Sequence, residues 1–195
     1  MGRSIFFVLA GTLWTAAVAG GFALAQRYDA TAGRTASACT RWPADAPLAL
    51  DPARPTLLLF AHPHCPCTAA TIETLNRLLA HVAGRASVTV LFYDDPALGA
   101  DWAHSSLWDD TAAIEDVAVR ADPLGATARR FGAWTSGQAF LFAPDGMLLY
   151  EGGLTTARGE PGECAALRAW LLDGDGPAHA PVFGCSLVSP ADGSP

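Results

Sequence analysis

The sequence predicts an α/β domain carried behind a membrane-directed helix. Strand-type and helix-type patterns alternate from Pro55 onward, and a run from Ile5 to Ala25 contains no charged residue. A chain of 195 residues that is 51% hydrophobic and 9% aromatic can fill one core and still carry appendages. Its net charge of −7, with all 12 basic residues arginine and none of them clustered, excludes nucleic acid as a partner. Five cysteines are too few for a disulfide scaffold of this size, and an odd count leaves one thiol unpaired in a monomer.

The first 28 residues read as a signal anchor or transmembrane helix. A spanning helix needs about 20 apolar residues and a cleavable signal core only about 7 to 15, so the length favours an anchor. Ala23-Leu24-Ala25 also matches the small-x-small pattern of signal peptidase, and cleavage after Ala25 stays open. A short N-terminus before such a core favours export. The expected location is the inner membrane, single-pass, with the rest of the chain in the periplasm or otherwise extracytoplasmic. Residues 29–54, rich in Ala, Thr, Pro, Asp and Arg without a sustained period, suit a linker.

The folded domain is expected over 55–173. Thr56 to Phe60 is a short buried-type strand. From Thr68 to Val82, Ile72, Leu75, Leu78, Leu79 and Val82 share one helical face, closed by Gly84. Ser87 to Tyr93 is dense in β-branched and aromatic residues and reads as a second strand, parallel to the first across the helical crossover. A helix from Trp102 to Ile114, a short strand from Asp116 to Arg120 and a helix from Pro123 to Phe131 continue the alternation, with Asp122 as N-cap. Gln138 to Phe142 and Met147 to Glu151 form a hairpin around Ala143-Pro144-Asp145-Gly146. A last helix runs from Glu163 to Leu172, and residues 174–195 form a Pro-, Gly- and Ser-rich tail over the surface.

This order, with a sulfur motif at the first strand-to-helix turn, resembles the thioredoxin-like superfamily. The likeness rests on Leu57-Leu58-Leu59-Phe60, Cys65-Pro66-Cys67, the Asp122 helix, and Phe140-Leu141-Phe142 running into Pro144-Asp145-Gly146. It implies a three-layer α/β/α fold around a central mixed sheet. The chain also resembles small membrane-anchored thioredoxin-like proteins labelled RedB. In thioredoxins the position matching Cys65 is the attacking thiol, and a second cysteine three residues later resolves the mixed disulfide. Here that cysteine comes one residue early. A cis-proline facing the sulfurs is usual at the start of the strand matching Gln138 to Phe142, and this chain has Gly137 there.

Pro66 is preorganised for the first helical position, which places Cys65 at or near the N-cap, where the helix dipole and nearby His62 and His64 favour thiolate. Cys65, Cys67 and His64 are the catalytic candidates. A disulfide across Cys-x-Cys closes a small strained ring, which makes it a good oxidant. The same atoms suit a soft metal: Cys65, Cys67 and His62 with Cys185 as outside ligand would take Cu(I). Two functions follow. One is a membrane-tethered thiol–disulfide oxidoreductase that needs no cofactor and acts on protein thiols or disulfides. The other is a copper-binding chaperone or metal-centre assembly factor with a metalloprotein client. Cys185 is also a candidate third redox thiol. Cys39 and Cys164 read as a structural disulfide or unrelated thiols, the tryptophans as core or interface aromatics, and the Asp94-Asp95 and Asp109-Asp110 pairs as loop ends and caps.

Overall fold

The structure, a computed structural model, describes residues 2–35 and 39–188, so residues 36–38 of the expected linker and 189–195 of the expected tail lie outside the described residues. It divides into two compact units, Met1–Thr31 and Ala32–Pro195. The first is α1 (Gly2–Asp29), 28 residues that at about 1.5 Å per residue extend some 40 Å, more than the ~30 Å hydrocarbon core of a bilayer. Its segment Ser4–Asp29 is long and apolar enough to cross a membrane.

The second unit contains β1 (Thr56–Ala61), α2 (Pro66–His81), β2 (Ser87–Asp94), α3 (Ser106–Ala112), β3 (Val117–Pro123), α4 (Ala126–Phe131), β4 (Gln138–Phe142), β5 (Leu148–Gly153) and α5 (Ala165–Asp173). Five strands lie in the order β3-β2-β1-β4-β5. β1 and β2 pair parallel, as do β2 and β3, while β4 runs antiparallel to both β1 and β5. β1 is central and covered on both faces, which is why its sequence is a continuous apolar run rather than an alternating one. Successive side chains still divide between the faces. Leu57 and Leu59 join a core with Ile72, Leu75 and Leu78 of α2 and Leu167 and Leu171 of α5. Leu58 and Phe60 join a second core with Ala128 and Phe131 of α4. The result is the expected three-layer α/β/α arrangement around a mixed sheet.

Three elements differ from expectation. The helix expected over Trp102–Ile114 is only Ser106–Ala112, because Trp102 to Ser105 are held in turns in which His104 N donates to Asp101 O and Ser105 N to Ala103 O. β3 extends to Pro123, drawn on by pairing with β2 as far as Asp94. Leu124 and Gly125, with φ of 51° and 66°, then turn the chain into α4. Asp122 is therefore not an N-cap by position. It caps from the strand instead, its buried carboxylate accepting from Thr127 N at 2.7 Å and Ala128 N at 2.8 Å. The tail differs most. His179 bridges to Glu151 and Ser186 to Thr135. Val182, Phe183, Leu187 and Val188 are packed into the body, where the tail was expected to lie over its surface. Part of the expected linker does likewise: the Trp42 ring meets Phe131 and Phe142 edge-on at 5.1 and 5.2 Å, and Leu48 and Leu50 border the same core.

Candidate functional site

The site forms where β1 hands over to α2. Cys65 is the N-cap of α2, with φ −93° and ψ 123°, and Pro66 opens the helix. Three groups fix the preceding turn. Ser136 Oγ accepts from His62 N at 2.9 Å, Thr68 Oγ1 donates to His62 O at 3.0 Å, and the two hydroxyls share a hydrogen bond of 2.9 Å. Gly137, at the position where a proline was expected, has φ +90° and donates its N–H to Phe60 O at 2.7 Å. Proline has neither that φ nor an N–H, so glycine fits the role this backbone requires.

The C-terminal segment completes the site. Ser136 N donates to Cys185 O at 2.9 Å and Leu187 N to Trp134 O at 2.9 Å, an antiparallel pairing that lays residues 185–187 along 134–136. Cys185 Sγ thereby comes within 2.7 Å of Cys65 Sγ. The sulfurs of Cys65, Cys67 and Cys185 all lie within 4.8 Å of one another. All five cysteines are free thiols, Cys65 buried and Cys67 and Cys185 half-buried.

The imidazoles go elsewhere. His64 Nε2 lies 3.0 Å from Trp102 O, its ring 4.8 Å from the Trp102 ring. His62 stacks on Tyr93 at 6.1 Å and meets Trp102 edge-on at 5.3 Å. Its Nδ1 accepts from His64 N at 3.2 Å. Both rings form an aromatic wall with Trp102 and Tyr93 beside the turn, outside the three-sulfur cluster. Cys39 and Cys164 do not join it either: Cys164 is buried in the first core and Cys39 lies against the second.

No family model matches the chain, and neither does any curated protein sequence. Solved structures do. An uncharacterized conserved protein from Geobacillus kaustophilus aligns with TM-score 0.60 and 19% identity over 82% of this chain and 93% of its own. A hypothetical protein from Sinorhizobium meliloti 1021 aligns with TM-score 0.59 and 22% identity, over 82% of this chain and 96% of its own. The parallel β1-β2 pair, the antiparallel β4-β5 hairpin and the mixed sheet flanked by helices agree with the expectation. The fold is thioredoxin-like. At these identities the likenesses speak to fold alone. A secreted Mycobacterium tuberculosis disulfide oxidoreductase homologous to E. coli DsbE aligns at TM-score 0.48 and 14% identity, over 64% of this chain and 84% of its own.

Within this thioredoxin-like domain the three thiols are unequal. Burial works against ionisation of Cys65, but the Cys185 thiol and backbone hydrogen bonds from Cys185, Cys67 and Thr68 outweigh it and hold its pKa below the ordinary thiol value. Burial raises Cys67, and the neighbouring Cys65 charge adds to that. Burial, with the hydrogen bond to Cys65 and its charge, pushes Cys185 up to about 12. The thiol that ionises most readily of the three thus sits at a helix N-terminus, flanked by two that hold their protons more tightly, the arrangement of a nucleophile with proton-bearing neighbours. Burial, and then the His64 charge, lowers the pKa of His62, which favours the neutral ring. The cation near the sulfurs is Arg158, which opposes the rise at Cys67 and Cys185 and donates from Nη1 to Gly184 O. Sequence reasoning missed Arg158, Ser136 and Thr68. Ser136 was within reach, since it directly precedes Gly137 at the position marked as facing the cysteines. Nothing local to Arg158 marked it.

Proposed function

We propose that this chain is a membrane-tethered, extracytoplasmic thiol–disulfide oxidoreductase in which Cys65 is the exchanging sulfur and protein thiols or disulfides are the partners. The observation that carries the proposal is the paired sulfurs of Cys65 and Cys185 at 2.7 Å, with Cys65 on the helix N-terminus. A disulfide bond is about 2.05 Å long, so a partner disulfide that takes two electrons from this pair need draw the sulfurs together only slightly. The dipole at the N-terminus of α2 and the hydrogen bonds to Cys65 populate the thiolate that exchange requires. α1 supports the tether, with the inner membrane and a periplasmic domain as the proposed setting. Full-length protein in detergent should accelerate exchange between glutathione and a cystine-bridged peptide, and Cys65→Ser should return the rate to background while the circular dichroism spectrum is unchanged. A Cys65→Ser variant with the parent rate would overturn the reading.

A copper-binding role is the second reading, favoured by the sulfur cluster itself. Three thiolates suit Cu(I). Two thiolates sharing an ion with bonds near 2.3 Å sit about 4 Å apart, so binding would require Cys65 and Cys185 to separate. That geometry ranks the metal reading second. Anaerobic titration against a competitor-buffered Cu(I) series tests it: one tightly held ion, lost in a Cys65→Ser/Cys67→Ser double variant, would support it, and no binding at sub-micromolar free copper would sink it.

A further inference from the structure

Which sulfur closes a disulfide with Cys65 depends on which one the fold aims at it. Cys67 is the neighbour in sequence and its sulfur also lies within 4.8 Å of the Cys65 sulfur, but a disulfide between residues two apart closes a small strained ring, and here Thr68 N donates to Cys65 O at 2.9 Å, holding the pair in the first turn of α2. Cys185 arrives differently. Its segment is a short strand addition: Ser136 N to Cys185 O and Leu187 N to Trp134 O fix the register, Thr135 and Ser186 bridge, and Leu187 and Val188 are buried behind it. Gly184 makes the approach possible, since a Cβ there would overlap the Ser136 carbonyl oxygen. From the front, Arg158 Nη1 donates to Gly184 O. Backbone pairing, a buried anchor, a glycine with no room for a side chain and an arginine clamp all serve one placement, Cys185 Sγ on Cys65 Sγ.

We infer that Cys185, carried by the strand-like segment 184–187, is the redox partner of Cys65, and that the working disulfide is Cys65–Cys185 rather than Cys65–Cys67. The inference rests on the thiol–disulfide reading above and changes the resolving sulfur. With glutathione disulfide as oxidant, the Cys65 thiolate attacks one glutathione sulfur, the S–S bond breaks, and one glutathione thiolate leaves. Cys185 then gives up its proton to solvent and attacks the Cys65 sulfur of the mixed disulfide, expelling the second glutathione thiolate. Glutathione disulfide gains two electrons, and two protein thiols become one disulfide. Cys67 keeps its thiol throughout.

Trypsin makes the outcome readable. It does not cut Arg54-Pro55, so Cys65 and Cys67 fall together in peptide 42–77, while Cys185 falls in 169–195. Full-length protein equilibrated with a glutathione redox buffer, acid-quenched, alkylated and digested without reduction should show 42–77 joined to 169–195, in the parent and in Cys67→Ser alike. Cys185→Ser should instead accumulate glutathione on 42–77. Gly184→Ala, which keeps every thiol and displaces only the segment, should shift the parent toward the same mixed disulfide. Two hydrogens lost within 42–77, with no cross-link and no glutathione build-up in Cys185→Ser, would overturn the inference and leave the oxidoreductase reading intact. Failure of Cys65 to take glutathione in a Cys67→Ser/Cys185→Ser double variant, where no neighbouring thiol remains to resolve it, would overturn both.

Discussion

At the scale of single residues, the sulfurs set the pH behaviour. Cys65 is held below the ordinary thiol range by the Cys185 thiol and by backbone N–H groups, against the opposing effect of burial. Its alkylation rate should level off at a lower pH than that of a free cysteine, and Cys185→Ala, which removes the largest of the lowering contacts, should move the inflection upward. An inflection that does not move would mean the thiolate is stabilised by the backbone N–H groups and α2 without help from the Cys185 thiol. Stability carries the opposite sign. Cys67 and Cys185 both titrate higher in the folded state, so above an unfolded thiol pKa of about 8.5 the unfolded chain has released protons that the folded chain still holds. The reduced protein should therefore lose stability steadily as pH rises from there toward the Cys185 value of about 12. Urea midpoints across that range check it, and Cys185→Ser should flatten the slope. The histidines had looked like the thiolate's neighbours because they adjoin it in sequence. A single sequence could not show that Trp102 packs against both rings and Tyr93 against His62, outside the three-sulfur cluster.

At the scale of elements, short polar ties hold the irregular parts that periodicity cannot specify. β1 and β4 were legible because they are buried at every position and mostly apolar, and β2 because its β-branched and aromatic residues supply Val88, Val90 and Phe92 to the core. β3 was read short because it is an edge whose burial alternates weakly. α4 was misplaced because Asp122-Pro123 imitates a helix start, whereas the carboxylate reaches across two left-handed residues to the real one. Asp122 is 1% exposed, so Asp122→Ala leaves two buried N–H groups unpartnered and should cost about 2 to 4 kcal/mol in urea unfolding. Ser136→Ala removes the acceptor of His62 N and the partner of Thr68. It should cost about 1 to 3 kcal/mol and, because the Cys65 turn loosens, slow exchange as well. A stability loss without a change in exchange rate would place Ser136 in the fold and not in the site.

At the scale of the whole molecule, the site joins the two ends of the domain. The Cys65 half was legible, because a strand, a helix start and Cys-Pro-Cys all coincide there. The Cys185 half was legible only as a loose apolar patch, since its placement depends on backbone pairing with residues 134–136, which has no local signature. Cys65 and Cys185 are 120 residues apart, and that distance makes the choice of disulfide a thermodynamic question. Closing a loop of this length removes enough chain entropy from the unfolded state to stabilise a domain by roughly 4 to 5 kcal/mol. A disulfide between Cys65 and Cys67 encloses one intervening residue and constrains the unfolded chain very little. Oxidation should therefore raise the urea midpoint of the full-length protein substantially, by an amount that survives Cys67→Ser and vanishes in Cys185→Ser. Equal stability of the oxidised and reduced forms would indicate a disulfide within the turn, and the segment that covers Cys65 would then be a lid over the redox pair and not a member of it.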